Sequence, residues 1–203
     1  MDEMNLFDSE DKSNLIHYEG ELGVFDYDPE EFKVEKFNDG TECLHYCGKG
    51  NSVDLPDGCI DTRYMFCRRR LPEGFSLGEH FDTSKVTDMY GMFSQCILPE
   101  DFSLGEHFDT SNVTDMARMF ENCKLPKDFT LGEHFDISKV TDMYGMFSYC
   151  KLPEGFSLGK HFNTSSVTDM KFMFDNCKYN GIDAYDYFET ESDLEIINKL
   201  REH

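Results

Sequence analysis

LPEGFSLGEHFDTSKVTDMYGMFSQCI, residues 71–97, is followed without insertion or deletion by three more versions of itself. The units start at Leu71, Leu98, Leu125 and Leu152, so a 27-residue motif fills residues 71–178. A fixed period of about 20 to 50 residues marks a repeat array, in which a unit buries its apolar face only against its neighbours. The rest of the chain therefore reads as caps on the two ends of such an array.

Positions that hold from unit to unit show which side chains face inward. Leu71, Phe75, Leu77, Phe81, Val86, Met89, Met92, Phe93 and Cys96 recur as the same residue types, whereas Glu73, Gly74, Lys85, Tyr90 and Gln95 drift. The alternation of Phe75, Leu77 and Phe81 suits an extended piece with one buried face, bent near Gly78. Val86 and Met89 mark a second extended piece. Met89, Met92, Phe93 and Cys96 have the i, i+3, i+4, i+7 spacing of a helix face. The Leu-Pro pair that opens each unit ends that helical turn, because proline lacks the amide donor and pushes its predecessor out of the helical region. One unit is thus expected to make one coil of a right-handed or horseshoe-like stack.

The core DTSxVTDMxxMFxxC stands at Asp82–Cys96 and Asp109–Cys123, with Ile137 replacing the threonine in Asp136–Cys150 and Asn163 replacing the aspartate in Asn163–Cys177. It resembles the BspA-like leucine-rich repeats, in the variant abundant in Mycoplasma surface proteins and also found in bacterial and phage proteins. The resemblance covers about half of the chain, and its order and spacing hold four times. It implies a binding scaffold rather than an enzyme, and many such proteins are secreted or surface-attached. The expected fold class is α+β: a leucine-rich-repeat-like β-solenoid with short strands and one short helical turn per 27-residue coil, capped at both ends.

The flanks divide into three segments. Residues 1–43 form an acidic, β-rich lead-in, with 14 Asp or Glu against 3 Lys, a net of −11. Leu15–Tyr18, Gly23–Tyr27 and Phe32–Phe37 alternate like the strands of a small meander, and the first dozen residues are expected to be mobile. Residues 44–70 are a degenerate opening unit, since Asp61, Met65 and Phe66 precede Asp88, Met92 and Phe93 by 27 residues. Residues 179–203 cap the far end, with a turn at Tyr179-Asn180-Gly181 and a capping-box helix from Ser192 through Leu200.

Eight cysteines call for a separate reading. Cys96, Cys123, Cys150 and Cys177 fall at one repeat position and read as small buried thiols packed as hydrophobes, one per coil at a spacing of about 4.8 Å. Cys43, Cys47, Cys59 and Cys67, even with His45, match no common zinc spacing. No cofactor or metal is expected.

Several polar columns repeat with the motif. Asp88, Asp115, Asp142 and Asp169 precede the helical turn and are expected to cap its free amides. Asp82, Asp109 and Asp136, with Ser84, Ser111 and Ser138, suit Asx or Ser turns. Glu79, Glu106 and Glu133 run beside His80, His107, His134 and His161. These three acidic ladders are the candidate partner-binding residues. A catalytic site needs unlike groups converging on one point, whereas a ladder repeats like groups along a line, so no catalytic residue is assigned. The residue types would also suit calcium, but no glycine-rich calcium loop ending in a bidentate glutamate is written.

Charge narrows the function further. With 19 Lys and Arg against 41 Asp and Glu, the net charge is −22, which disfavours direct binding to nucleic acid. Arg68, Arg69 and Arg70 are expected to bridge to nearby carboxylates rather than to phosphates. No run of about 18 apolar residues predicts a membrane span, and the acidic start lacks the features of a signal peptide. The expected location is the cytoplasm, that of the host if the chain is viral.

The expected function is a non-catalytic, protein-binding solenoid whose acidic surface engages the basic face of a partner. One form of it is a phage-type inhibitor of a nucleic-acid-binding defence enzyme. Carboxylates about 4.8 Å apart are comparable with phosphates rising about 3.4 Å per strand step, so nucleic-acid mimicry is geometrically open. The alternative is a bacterial surface or adhesion-type repeat protein. Open edges and aromatic-rich caps would also allow a dimer.

Overall fold

Two antiparallel hairpins lead into the repeats. The computed structural model describes residues 14–159 and 162–184. Strands β1 (Ile16–Gly20) and β2 (Gly23–Tyr27) pair with each other, as do β3 (Phe32–Lys36) and β4 (Glu42–Tyr46). The expected three-stranded meander is corrected on this point: β2 and β3 do not pair. Between them the chain reverses at Asp28, whose carbonyl accepts the amides of Glu31 and Phe32 at 3.0 and 2.8 Å. The Tyr18 hydroxyl donates to the Glu42 carboxylate at 2.6 Å and ties one hairpin to the other.

The hairpins attach to the opening unit through its backbone. Gly23 and Cys59 form an antiparallel bridge, and the Tyr46 amide donates to the Met65 carbonyl at 2.9 Å. Farther along, pairing is parallel and follows the repeat. Bridges join Asp61 to Asp88, Asp88 to Asp115, Asp115 to Asp142 and Asp142 to Asp169, and a second series joins Arg70, Ile97 and Lys124. The short strands β5 (Ser52–Val53) with β6 (Ser76–Leu77), and β7 (Lys151–Leu152) with β8 (Lys178–Tyr179), continue this parallel pairing. A tight turn at Asn180-Gly181 then brings β9 (Ile182–Asp183) back antiparallel to β8, as the sequence suggests. Of the extended piece expected over Phe75–Phe81, only Ser76–Leu77 pairs as a strand.

The helical turn expected at Met89–Cys96 is replaced by three overlapping tight turns. Met92, Ser94 and Cys96 donate their amides three residues back, to Met89, Gly91 and Phe93. The intervening amides of Met89, Gly91, Phe93 and Gln95 donate instead to Asp115, Ala117, Met119 and Glu121 of the next unit, at 2.7–2.9 Å. An α-helix would send every amide to the carbonyl four residues back. Here every second donor needs a neighbouring unit in register, so the geometry exists only in the array. Two residues of the run adopt a left-handed conformation, Gly91 at φ 58° and Gln95 at φ 58°, as the third position of a type II turn requires. The same two positions are left-handed at Arg118 and Asn122, Gly145 and Tyr149, and Phe172 and Asn176.

The described residues are therefore mostly short strands in small sheets, with almost no helix and no closed barrel. The α part of the expected α+β class is not supported; Thr164–Ser166 make a 3-10 turn capped by Asn163. The C-terminal helix expected over 192–200, His161 and the first thirteen residues lie outside the described residues.

One hydrophobic core runs through the described chain from Leu22 to Ala184. Its axis is a column of parallel rings: Phe66, Phe93, Phe120, Phe147 and Phe174 stack at 5.2, 5.5, 5.5 and 5.7 Å, with planes within 7°. A second phenylalanine column meets the first edge-on, Phe102 against Phe93, Phe129 against Phe120 and Phe156 against Phe147. Burying each ring is worth roughly 1.5–3 kcal/mol. The inward set read from the repeat is buried in every described unit, apart from the half-buried Leu77 of the first. Phe25, Phe32, Leu44 and Tyr46 of the hairpins complete the core at its N-terminal end.

Candidate functional site

Each ladder aspartate is held by a local hydrogen bond before it can do anything else. The Oδ1 atoms of Asp61, Asp88, Asp115, Asp142 and Asp169 accept the amide two residues on, at 2.8–3.0 Å. These are Asx turns that open the run of tight turns, so the expected capping role is met in a turn rather than a helix. Asp61 is buried, and Asp88, Asp115, Asp142 and Asp169 are half-buried. Burial, reinforced by Asp61, raises Asp88, while Asp115 is pushed up to about 6 by burial, with Asp88 and Asp142 adding repulsion. Arg63 offsets one end of the column: its Nε and Nη2 reach the Asp61 carboxylate, at 2.8 Å for Nε, and Nη2 lies 3.0 Å from Asp88 Oδ2.

The second ladder makes the same kind of turn nearer to water. Asp82, Asp109 and Asp136 accept the amides of Ser84, Ser111 and Ser138 at 2.8 Å, and Asn163 does so for Ser165 at 3.0 Å. The Ser84 amide holds Asp82 below its ordinary range. Beside these residues, the buried Thr83 and Thr110 donate their hydroxyls to the carbonyls of Asp109 and Asp136 at 2.8 Å. Glu79, Glu106 and Glu133 are exposed, as are His80, His107 and His134. The three ladders are thus separate columns: two of them half-buried apart from the buried Asp61 and the exposed Asp82, and the glutamates exposed.

A cleft with a volume of about 600 Å³ lies where the β3–β4 loop overhangs the aspartate column. Phe37, Asn38, Asp39 and Thr41 form one wall, and Arg63, Tyr64, Asp88, Tyr90 and Asp115 the other. The loop is braced by the Phe37 amide on the Thr41 carbonyl at 2.8 Å and by the Thr41 amide on Asp39 Oδ1 at 3.0 Å. That second bond holds the Asp39 carboxyl below its ordinary range. Phe37, Tyr64 and Tyr90 meet edge to face, at 5.4 and 5.2 Å between ring centroids. Farther along the same face, the Arg118 guanidinium lies 5.4 Å from the Tyr144 ring centroid and 3.4 Å from Glu121.

The repeat alone does not disclose this cleft: Asp88 and Asp115 belong to the repeat, but Phe37, Asn38, Asp39 and Thr41 lie before it and Arg63 and Tyr64 depart from it. Arg63 occupies the position of Tyr90, Ala117, Tyr144 and Lys171, and Tyr64 the position of Gly91. Departures from an otherwise strict period are the signal that would have drawn attention to them. In the opening unit the arginine that pairs with carboxylates is Arg63, which corrects the expectation for Arg68–Arg70. Arg69 donates to the Gly48 carbonyl at 3.1 Å and lies 5.8 Å from the Tyr46 ring centroid. Arg68 and Arg70 are exposed and reach no carboxylate among the described residues.

The cysteine column is buried and reduced. Cys96, Cys123, Cys150 and Cys177 are free thiols, and burial raises all four, Cys96 and Cys150 to about 12. Among the described residues no three His, Cys, Asp or Glu side chains gather as a metal site would require, and no helix is long and apolar enough to cross a membrane.

A family model described as "Mycoplasma protein of unknown function, DUF285" matches residues 60–187. No curated protein and no solved structure matches the chain.

Proposed function

The chain belongs to the DUF285 family of Mycoplasma proteins of unknown function, and from that premise we propose that it is a non-catalytic binding scaffold, an open solenoid whose acidic surface engages the basic face of a partner protein. The observation that carries this reading is the exposure of Glu79, Glu106 and Glu133 at one position of successive units, on a chain of net charge −22. Like charges repeated along a line suit an extended basic surface, and such complementarity acts through steering and register. Nucleic-acid mimicry, including inhibition of a nucleic-acid-binding defence enzyme, is the sharper form of the proposal. For that form the glutamates are the phosphate-like column, since the Asp88 ladder is half-buried and spends its carboxylates on its own backbone.

The test is the salt dependence of capture by the immobilised full chain. A basic partner held through these carboxylates is released between about 0.05 and about 0.3 M salt, as the screening length shrinks. It is also lost by the variant Glu79→Gln/Glu106→Gln/Glu133→Gln. A partner retained at high salt and by that variant would overturn the proposal and favour the surface or adhesion-type alternative.

A further inference from the structure

The cleft under the β3–β4 loop differs from the ladders in holding unlike groups on two walls. We infer that it is a receptor for one lysine or arginine side chain on an extended basic segment of the partner, gripped by the rings of Tyr64 and Tyr90 and by the Asp115 carboxylate. This rests on the basic-partner reading above and adds a place and a chemistry to it.

Size and charge both fit such a guest. About 600 Å³ lies within the ordinary range of roughly 300–1,000 Å³ for ligand pockets, and the cleft is open enough to admit a side chain from an extended strand. Its lining carries three carboxylates, Asp39, Asp88 and Asp115, against one guanidinium, that of Arg63. The Arg63 guanidinium is already engaged by Asp61 and Asp88. Asp115 is not paired with it; one carboxylate oxygen is held by the Ala117 amide. An anionic guest would meet this excess of carboxylates, and a neutral apolar one would strand them from water.

The aromatic walls supply the second half of the grip. A cation within about 6 Å of a tyrosine ring centroid is attracted to the ring face. The protein itself makes such a contact on the same side of the stack, where Arg118 covers Tyr144 beside Glu121. At Tyr90 the position corresponding to Arg118 over Tyr144 is taken by Tyr64. Arg118 interacts electrostatically with both tyrosines but does not line the cleft, where Arg63 is the cation beside the ring pair and is already engaged by Asp61 and Asp88.

Octa-arginine titrated into the isotopically labelled full chain at about 0.05 M salt tests this, read by amide shifts and dissociation constants. Two variants keep the local fold. Asp115→Asn retains the acceptor for the Ala117 amide, as Asn163 does in its own turn, and Tyr90→Ala places the residue that the next unit already carries at 117. The expected result is shifts at Tyr90, Ala117 and the Phe37–Thr41 loop, with each variant weakening binding by about tenfold, the size of one charge-assisted or cation–π contact. Binding that shifts only the Glu79, Glu106 and Glu133 edge, unchanged in both variants, would overturn the cleft and leave the scaffold reading standing. No binding at all at low salt would overturn both.

Discussion

The rings of Phe93 and Phe120 lie 5.5 Å apart with their planes 1° from parallel, though 27 residues separate them in the chain. Neither ring touches water, and each is also met edge-on by a phenylalanine of the second column. Phe120→Ala removes the middle of the column and leaves a void that rings on both sides cannot fill. A loss of about 3–5 kcal/mol is expected, and a smaller one for Phe120→Leu. Denaturant unfolding of the two variants checks the order.

Removing Arg63 leaves Asp61, whose side chain is 6% exposed, without its counter-charge. Arg63→Met is expected to cost about 2 kcal/mol at neutral pH. Adding Asp61→Asn should recover most of that loss, since an asparagine still accepts the amide of residue 63. Equal stability of the single and double variants would show that the pair does not matter.

The Asp115 carboxyl titrates near 6 in the folded chain, against about 3.9 when unfolded. The folded state therefore binds more protons between those values, and this group's contribution to stability is fully present below about 4 and is lost as pH rises through 6. The charges facing it are Asp88, Asp142 and Arg63. Asp115→Asn removes the ionisation and keeps the hydrogen bond. Thermal unfolding should show the variant more stable at pH 7, by on the order of 2 kcal/mol, with the gap closing near pH 4.

Left-handed backbone at non-glycine positions stores strain in the tight turns. Tyr149 has φ 59° and is 57% exposed, while Asn122 and Asn176 occupy the same position in neighbouring units. Tyr149→Asn should stabilise by about 0.5–1 kcal/mol, because asparagine tolerates this conformation better. Gly145→Ala should cost about 1–2 kcal/mol, since φ is 61° and the new Cβ would lie 3.3 Å from the Ser148 hydroxyl. Paired unfolding curves decide both signs.

Burial and a raised pKa together keep the thiols of the cysteine column inert. Cys96, Cys123, Cys150 and Cys177 should react with an alkylating reagent at pH 8 only at the rate of unfolding. Half-buried Cys47 should label without unfolding, and mass spectrometry of peptides separates the two classes. Rapid labelling of Cys123 in the native chain would contradict the packing described above.

Much of the interior was legible because the repeat reports it four times over. Phe93 and Cys96 recur at a fixed offset, and both lie inside. The turn-forming role of Asp82 was legible too, since a short carboxylate accepts an amide two residues on whatever surrounds it. Asp88 was expected to cap a helix and instead opens a tight turn. The run from Met89 to Cys96 misled because its spacing suits one face of a helix as well as a succession of tight turns. What separates them is where the amides of Gly91 and Phe93 go, and their acceptors lie in the next unit.

Period, inward residues and local Asx turns were determined by the sequence alone, because each depends on side-chain polarity and on bonds spanning two or three residues. Tertiary structure alone decided that Met89–Cys96 is not helical, and that Phe37 and Asp39 face Tyr64, Tyr90 and Asp115 across one cleft. In both cases the partners are 25 residues or more away along the chain. Which distant groups meet is set by how the units pair, and no local pattern of residue types carries that information.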